Sequence, residues 1–344
     1  MSVVLVTTES FCHNLNLVKD YHLAYCAADK LEDASAMFEP YQILDCRFRD
    51  LILANVRLRK ISGGHLWTEG PVWFPAHQCL LFSDIPNQKI FRWMCDGSVN
   101  VFRTQSEFAN GNTVDMNGRL ITCQHGTRSV TRTEHNGTIT TLADEFQGNR
   151  LNSPNDVIVK TDGSIWFTDP TYGILSNYEG YKAVPDQEYN NVFRLDPETG
   201  IVTSVTWSFT QPNGLAFSND EKLLYIAESG SSHDDKVLPV ICVYDVVDGE
   251  RLENGRDFAQ IDKGLPDGLR VDCYGNVWCS AKDGVHCFDP AGTLLGKILV
   301  PETVSNLTFG GARGNELLIT ATTSVYAIHV NCHSAQQPVC APLA

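Results

Sequence analysis

Short apolar runs separated by turn residues recur along most of the chain, and each unit opens on a polar residue. After that residue come an apolar strand, a tight turn and a second apolar strand, as in NDVIVKTDGSIWFTD from Asn155 and NGLAFSNDEKLLYIAE from Asn213. The turns include Asn-Gly at 117–118 and Asp-Gly at 162–163, which favour tight β-hairpins. Most units continue into third and fourth β-like runs, such as NVFRLDPETG followed by IVTSV. The pattern predicts a four-stranded antiparallel meander.

This unit occurs six times. The residues that open the units are separated by 39 to 58 positions and are Glu69, Asn112, Asn155, Asn213, Asp267 and Asn306. Four-stranded repeats of about forty residues are typical of β-propellers. We therefore predict an all-β fold, with a six-bladed β-propeller of four-stranded antiparallel blades over residues 37–344 as the catalytic domain. Residues 1–36 lie outside the repeat and should form a short extension, helical around LVKDYHLAYC.

The six opening residues should form a ring at one mouth of the central channel, because the first strand of each propeller blade lines the axis. One explanation is that Asn and Asp cap the channel by satisfying turn backbones. The other is a metal site made of two carboxylates and several amide oxygens. We favour the metal site, since two acidic side chains in a narrow channel repel each other unless a cation or a proton neutralises one. Oxygen ligands suit calcium or magnesium rather than structural zinc.

Polar residues also stand where the second strands end, on the same face as the ring. They are Asp84, His125, Asp169, Glu228, Lys282, Thr320, Thr322 and Thr323. Ordinary polar strand ends explain at least half of them, and the others are expected to line a substrate pocket above the ion. His125 is the best single candidate for a catalytic group, because a neutral imidazole can act as donor or base near neutral pH.

Two long loops, at residues 167–182 and 227–236, leave from that same face. Loops that depart from a rigid scaffold commonly carry substrate contacts. The candidate lid residues on these loops are Tyr172, Tyr178 and His233.

Composition and charge narrow the partners. A net charge of −15 and a pI near 5.0 argue against nucleic acid or an anionic membrane as a partner. The twelve cysteines include no C-x-x-C pair, and the N-terminus lacks the basic region and cleavage site of a signal peptide. We expect reduced, buried thiols in a cytoplasmic protein, although Cys332 and Cys340 could bridge. No run of 18 apolar residues predicts a membrane span.

Four phrases carry a family resemblance: EGPVW, the block from RLNSPNDV to DGSIWFTDPTYG, PNGLAFS and PDGLRVD. In this order they resemble the gluconolactonase branch of the senescence marker protein (regucalcin) and luciferin-regenerating enzyme-like family, over residues 37–330. Relatives include calcium-dependent phosphotriesterases of the squid diisopropylfluorophosphatase type. The resemblance implies a six-bladed propeller with one catalytic divalent ion, calcium first and magnesium, manganese or zinc as alternatives. Matched position by position, the implied ligands are Glu69, Asn155, Asn213 and Asp267.

One position departs from the regucalcin pattern. That branch has an arginine two residues before the equivalent of Asn155, where this chain has Ser153, and the nearest arginine is Arg150. Sugar-lactone recognition therefore cannot be transferred from regucalcin. The residues that we predict to contact substrate are Asn112, Asp169, Tyr172, Glu228, Lys282 and Asn306.

The resulting hypothesis is metal-dependent opening of a lactone ring. The ion would polarise the carbonyl group while water attacks the carbonyl carbon. The expected base is Asp267 or a metal-bound hydroxide, with His125 in reserve. The chain has neither a G-x-S-x-G nor an H-E-x-x-H motif for another hydrolytic mechanism. Alternatives are phosphotriester hydrolysis on the same ion, a non-hydrolytic reaction such as isomerisation, and a non-catalytic ligand-binding propeller.

Overall fold

The computed structural model describes residues 40–335, which form six antiparallel blades in a ring. The prediction of a six-bladed β-propeller is confirmed. The predicted extension at residues 1–36 lies outside the described residues, and so does Cys340. Within residues 40–335, no helix has both the length and the apolar character needed to cross a membrane.

The described chain opens with two strands, β1 (Tyr41–Ile43) and β2 (Arg59–Gly63), on either side of a 3-10 turn at Cys46–Asp50. Each of the first four blades is a meander of four consecutive strands. Blade 1 contains β3 (Thr68–Phe74), β4 (Cys79–Asp84), β5 (Lys89–Met94) and β6 (Val99–Thr104). Blade 2 contains β7 (Ala109–Val114), β8 (Leu120–Gln124), β9 (Ser129–Thr133) and β10 (Ile139–Ala143). A small ribbon follows, made of β11 (Glu145–Phe146) and β12 (Asn149–Arg150).

Blades 3 and 4 continue the same plan. Blade 3 contains β13 (Val157–Val159), β14 (Ile165–Asp169), β15 (Asn190–Leu195) and β16 (Val202–Phe209). Blade 4 contains β17 (Pro212–Phe217), β18 (Leu223–Glu228), β19 (Val240–Val247) and β20 (Arg251–Gln260). Short helical turns occur at Pro75–His77, Tyr172–Leu175 and Gly230–Ser232.

The last two blades recruit strands from the start of the described chain. Blade 5 contains β21 (Leu269–Val271), β22 (Val277–Ala281), β23 (Gly284–Phe288) and β24 (Leu294–Leu299), and β1 adds a fifth strand beside β24. Blade 6 contains β25 (Val304–Gly310), β26 (Glu316–Ala321) and β27 (Ser324–His329). Its fourth strand is β2, which pairs Arg59 with Ala327 and Gly63 with Ser324. The ring is therefore closed by residues that lie far apart in sequence.

Apolar side chains pack between neighbouring blades. The ring of Trp166 in blade 3 meets Phe217 of blade 4 edge-on at 5.3 Å, and Trp278 of blade 5 meets Phe309 of blade 6 at 6.3 Å. All residues of β14 and β22 are buried, because these inner strands have a neighbouring blade on each face. Burying one apolar side chain contributes about 1.5–3 kcal/mol, so packing between the blades stabilises the ring around the channel.

Glycines let the first strands of neighbouring blades approach closely at the channel. A Cβ at Gly214 would lie 2.2 Å from the carbonyl oxygen of Asp267, and one at Gly111 would lie 2.4 Å from that of Asn155. The nitrogen of Gly111 donates a 2.8 Å hydrogen bond to this Asn155 oxygen. The residues next to these glycines are thereby held close together at one end of the channel.

Candidate active site

The four predicted ion ligands line one pocket of about 360 Å³ at the mouth of the channel. Glu69, Asn155 and Asn213 are almost completely buried, and Asp267 is half-buried. Glu69 and Asn213 are the second residues of the first strands of their blades, and Asn155 and Asp267 lie two residues before theirs. The propeller thus brings together side chains from four distant parts of the sequence. Their assignment as ligands stays a prediction.

Carboxyl groups crowd this end of the channel. Burial raises the pKa of Glu69 to about 8, and the nearby carboxyls of Asp156 and Glu179 add to this effect. Burial also raises the pKa of Asp267, and Glu69 raises it further. Arg270 Nη1 lies 3.8 Å from Asp156 Oδ2, which compensates one of these carboxyl groups. Among residues 40–335, Glu69, Asp267 and Glu179 form no ion pair, and a divalent cation would neutralise this acidic cluster.

The donor atoms at the pocket fit a hard cation. The predicted ligands offer carboxylate and amide oxygens, and the described residues that line the pocket include no cysteine or histidine. Oxygen-rich sites of this kind suit calcium, magnesium or manganese.

A second acidic cluster lies outside this pocket. Asp262, Asp283 and His286 place potential ligand atoms within 4.8 Å of one another. However, Lys297 Nζ lies 2.7 Å from Asp262 Oδ1 and 3.0 Å from Asp283 Oδ2. The lysine ammonium group therefore already supplies the positive charge at that cluster.

Blade 2 places Asn110 at the pocket, two residues before the predicted Asn112. The Gly111 nitrogen bonds to the Asn155 oxygen just as the Gly268 nitrogen bonds to the Ser305 oxygen, at 2.8 Å in both cases. Asn110 therefore occupies in blade 2 the place that Asp267 occupies in blade 5. The motif ANGNTV aligns with PNGLAF in this register, so the sequence does contain a signal for Asn110.

Asn112 and Asn306 do not line the pocket. Asn112 Nδ2 donates to Gly70 O at 3.0 Å, and its Oδ1 accepts from Thr122 Oγ1 at 2.9 Å. Asn306 Nδ2 donates to Glu69 Oε2 at 3.1 Å. Both amides thus bond within the channel, and their predicted contact with substrate stays a prediction.

Three acidic residues predicted for the pocket wall hold loops instead of lining the pocket, and all three are nearly buried. Each carboxylate accepts a hydrogen bond from a backbone N–H group. The bonds run from Leu66 N to Asp84 at 3.2 Å, from Asn152 N to Asp169 at 2.7 Å and from Gln211 N to Glu228 at 2.9 Å. The threonines of blade 6 also bond to backbone oxygens or to Glu302, through Thr320, Thr322 and Thr323. In this structure these side chains shape the loops around the pocket.

Tyr172 and Lys282 line the pocket, as predicted substrate contacts should. The Tyr172 hydroxyl group lies 2.9 Å from Ser232 Oγ and its ring packs against His233 at 5.4 Å, which ties the two long loops together. Tyr178 is half-exposed and does not line the pocket. The contact of Tyr172 and Lys282 with substrate stays a prediction.

His125 lies behind the pocket wall. Its Nδ1 is 2.8 Å from the carbonyl oxygen of Glu179, and its Nε2 is 3.2 Å from Asn110 Nδ2. Burial lowers the pKa of His125 to about 4, so the imidazole is neutral at physiological pH. Because both ring nitrogens already have partners, His125 is placed to hold neighbouring groups.

Glu179 lines the pocket, although no motif in the sequence predicts it. Burial raises the pKa of its carboxyl group to about 7. It lies in an irregular loop between β14 and β15, where no periodic pattern distinguishes it from neighbouring polar residues. Contacts made after folding bring it to the pocket.

Comparisons with known proteins agree with the motifs. Residues 67–323 match the family model for the SMP-30/gluconolactonase/LRE-like region. A gluconolactonase of Zymomonas mobilis is 33% identical over 305 residues, which cover 81% of this chain and 83% of the relative. The pentonolactonase XacC of Haloferax volcanii is 27% identical over 262 residues, which cover 73% of this chain and 80% of the relative.

Solved structures lead to the same family. A gluconolactonase from Xanthomonas campestris is 37% identical and superposes with a TM-score of 0.80, covering 85% of this chain and 95% of its own. The match to the family model extends over well more than half of the chain. The resemblance carried by the four phrases is therefore confirmed, and the chain belongs to the SMP-30/gluconolactonase/LRE-like family.

Proposed function

We propose that this protein is a metal-dependent lactonase that opens sugar lactones of the gluconolactone class. The observation that carries the proposal is the convergence of Glu69, Asn155, Asn213 and Asp267 on one pocket. Lactone hydrolysis as the reaction is supported by similar proteins named gluconolactonase and pentonolactonase.

These four side chains would hold one divalent ion. Calcium is the first choice because the site offers only oxygen atoms from carboxylates and amides, and magnesium, manganese and zinc are the alternatives. A bound ion supplies Lewis-acid polarisation of the lactone carbonyl group and stabilises the negative charge that develops there.

Asp267 is the proposed general base. Ring opening adds water to the carbonyl carbon and breaks the bond from that carbon to the ring oxygen, so a group beside the substrate must take a proton from the water and return one to the departing ring oxygen. The raised pKa makes the ionised Asp267 a stronger base than a free carboxylate, and the side chain of Asn213 hydrogen-bonds to it. Because burial and Glu69 both oppose ionisation, Asp267 needs positive charge nearby to act as a carboxylate.

Tyr172 and Lys282 would orient the lactone from the pocket wall. Lys282 can donate hydrogen bonds to lactone oxygens, which only accept. Tyr172 joins the two loops that border the pocket, and it thereby limits the size of the substrate that enters.

The decisive experiment is hydrolysis of a lactone panel by metal-free protein with each metal ion added back. The panel contains aldonolactones, unsubstituted γ- and δ-lactones and one organophosphate triester. We expect EDTA to abolish lactone opening and calcium to restore it. Full activity without metal would contradict the role of the ion, and preference for the triester would support phosphotriester hydrolysis instead. A protein that opens no lactone with any ion would contradict the proposed function.

A further inference from the structure

One buried imidazole connects two groups of the pocket. A backbone carbonyl can only accept a hydrogen bond, so His125 Nδ1 must carry the proton that points at Glu179 O, 2.8 Å away. In a neutral imidazole the other nitrogen is then an acceptor, and Nε2 faces Asn110 Nδ2 at 3.2 Å. The burial of His125 favours this neutral form.

This arrangement determines which end of the Asn110 amide is left without a partner. Since the Nδ2 group donates to His125, Oδ1 is the free end. Asn110 is 4% exposed, and its Oδ1 has no hydrogen-bond partner among the described residues. Asn110 also lines the pocket. A buried carboxamide oxygen without a donor is unfavourable, so a donor is expected from whatever fills the pocket.

The loop that carries Glu179 is packed tightly against the same histidine. A Cβ at Gly173 would lie 2.4 Å from His125 Cγ, and one at Gly180 would lie 2.0 Å from Gly173 O. Ser153 Oγ accepts from the Gly173 nitrogen at 3.0 Å. The Glu179 carboxyl group is therefore placed in the pocket by close packing and by the hydrogen bond to its own carbonyl oxygen.

We propose that Asn110 Oδ1 and the Glu179 carboxyl group form a subsite that accepts hydrogen bonds from substrate hydroxyl groups, with His125 as the positioning residue for both. This inference rests on the proposed function and assigns the residues that recognise the hydroxyl groups of its sugar lactone. The oxygens of a lactone ring only accept hydrogen bonds, whereas free hydroxyl groups donate them. A site built to bond hydroxyl groups discriminates against an analogue that lacks them, because its buried polar groups are then unpaired.

The test compares two six-membered lactones, D-glucono-δ-lactone and δ-valerolactone, which has no hydroxyl groups. The key variant is Glu179→Met, which keeps the side-chain length and removes the oxygens. Glu188→Met is the matched control, because Glu188 is exposed on the same connection and does not line the pocket. For the calcium-loaded Glu179→Met enzyme we expect kcat/KM for the gluconolactone to fall at least about tenfold, mainly through KM. The value for δ-valerolactone should stay within about twofold, as should both values for the control.

His125→Phe tests the positioning role, since it keeps a ring and removes both hydrogen bonds. We expect the same selective loss for the gluconolactone, an unchanged pH–rate profile for δ-valerolactone and little further loss when Glu179→Met is added. Equal loss for both substrates together with a missing limb of the profile would make His125 a catalytic base and overturn the proposal. Melting curves show whether the variant is folded, and Glu179→Met decides the question if it is not.

Calcium titration by calorimetry distinguishes a hydroxyl subsite from an ion ligand. Metal-free Glu179→Met should bind calcium with a Kd within about tenfold of the wild type, because the change removes one charge from the acidic cluster but no ion ligand. A much weaker Kd together with equal loss for both lactones would identify Glu179 as an ion ligand and overturn the subsite. If the wild type opens neither lactone, the proposed function itself fails. If it opens both and Glu179→Met changes neither, only this inference fails.

Discussion

Asn306 Nδ2 lies 3.1 Å from Glu69 Oε2, so the last blade donates a hydrogen bond to a predicted ion ligand in the first. The same amide nitrogen lies 3.5 Å from Asp156 Oδ2. Asn306 is thus a neutral group between two buried carboxyls. It bonds to Glu69 but supplies no full charge, so the acidic cluster still requires a cation or protons.

Replacing this amide by a carboxyl group should make the cluster less stable. We expect Asn306→Asp to lower the free energy of unfolding of the metal-free protein by about 1–3 kcal/mol near pH 8 and by less near pH 5, where the group is protonated. Denaturant unfolding at both pH values measures the difference. Asn306→Leu serves as the control, because it removes the hydrogen bond without adding charge. A loss for Asn306→Asp that is independent of pH would argue against repulsion as the cause.

Asp267→Asn should separate catalysis from folding. The amide has nearly the same shape as the carboxyl group but is not a base, so we expect kcat for lactone opening to fall by about 10²–10⁴. The metal-free protein should unfold at the same or a higher temperature, because one member of a repelling set is removed. Steady-state kinetics and a melting curve check both points. Full activity would remove Asp267 from the mechanism.

Stability of the metal-free protein should decrease with rising pH. The pKa of Glu69 in the folded protein is about 8, above its usual value of 4.5. The contribution of Glu69 to the free energy of unfolding is therefore fully present below about pH 4.5 and is lost as the pH rises through 8. Calcium should relieve this loss, and the increase in Tm on adding calcium should therefore be larger near pH 8 than near pH 5. Asp169 does not line the pocket, and burial raises its pKa to about 7. The loss of stability that follows from ionisation of Asp169 should therefore remain when calcium is bound. If calcium raised Tm by the same amount at every pH, the assignment of Glu69 as an ion ligand would be contradicted.

Gly214→Ala should disturb both stability and ion binding. The added Cβ would lie 2.2 Å from Asp267 O and 2.7 Å from the Cα of Gly268, so it meets backbone rather than flexible side chain. We expect a loss of about 1–3 kcal/mol and weaker calcium affinity, because the first strands of blades 4 and 5 must separate.

The control for this glycine is Gly97→Ala. Gly97 has open space around it and a φ of 87°. Alanine at this position would therefore make no close contact and would cost only the strain of a left-handed backbone, about 1–2 kcal/mol. Denaturant unfolding and calcium titration compare the two variants. Unchanged calcium affinity in Gly214→Ala would show that the spacing of these strands does not control the site.

In blade 2 the sequence pattern and the tertiary structure select different asparagines, Asn112 and Asn110. Asn110 and Asn112 are two residues apart on one strand, and regular alternation would place both side chains on the same face. The pairing of β7 with β8 is irregular between Ala109 and Asn112, and only Asn110 lines the pocket. The hydrogen bond from the Gly111 nitrogen to Asn155 O selects Asn110 for the pocket. That bond joins two blades, and the sequence indicates it only when the blades are aligned on the Asn-Gly pair that ANGNTV shares with PNGLAF.

The sequence by itself determined the six blades, their hairpins and four side chains that meet in one pocket, Glu69, Asn155, Asn213 and Asp267. The blades and hairpins follow from alternation and turn residues, which act over a few neighbouring residues, whereas the choice of these four side chains follows from the motifs that carry the family resemblance. Only the tertiary structure decided that β2 completes blade 6 and that a loop held by His125 brings Glu179 into the pocket. Such features depend on contacts between residues far apart in the chain, because loop placement is set by packing and hydrogen bonding after the blades have formed.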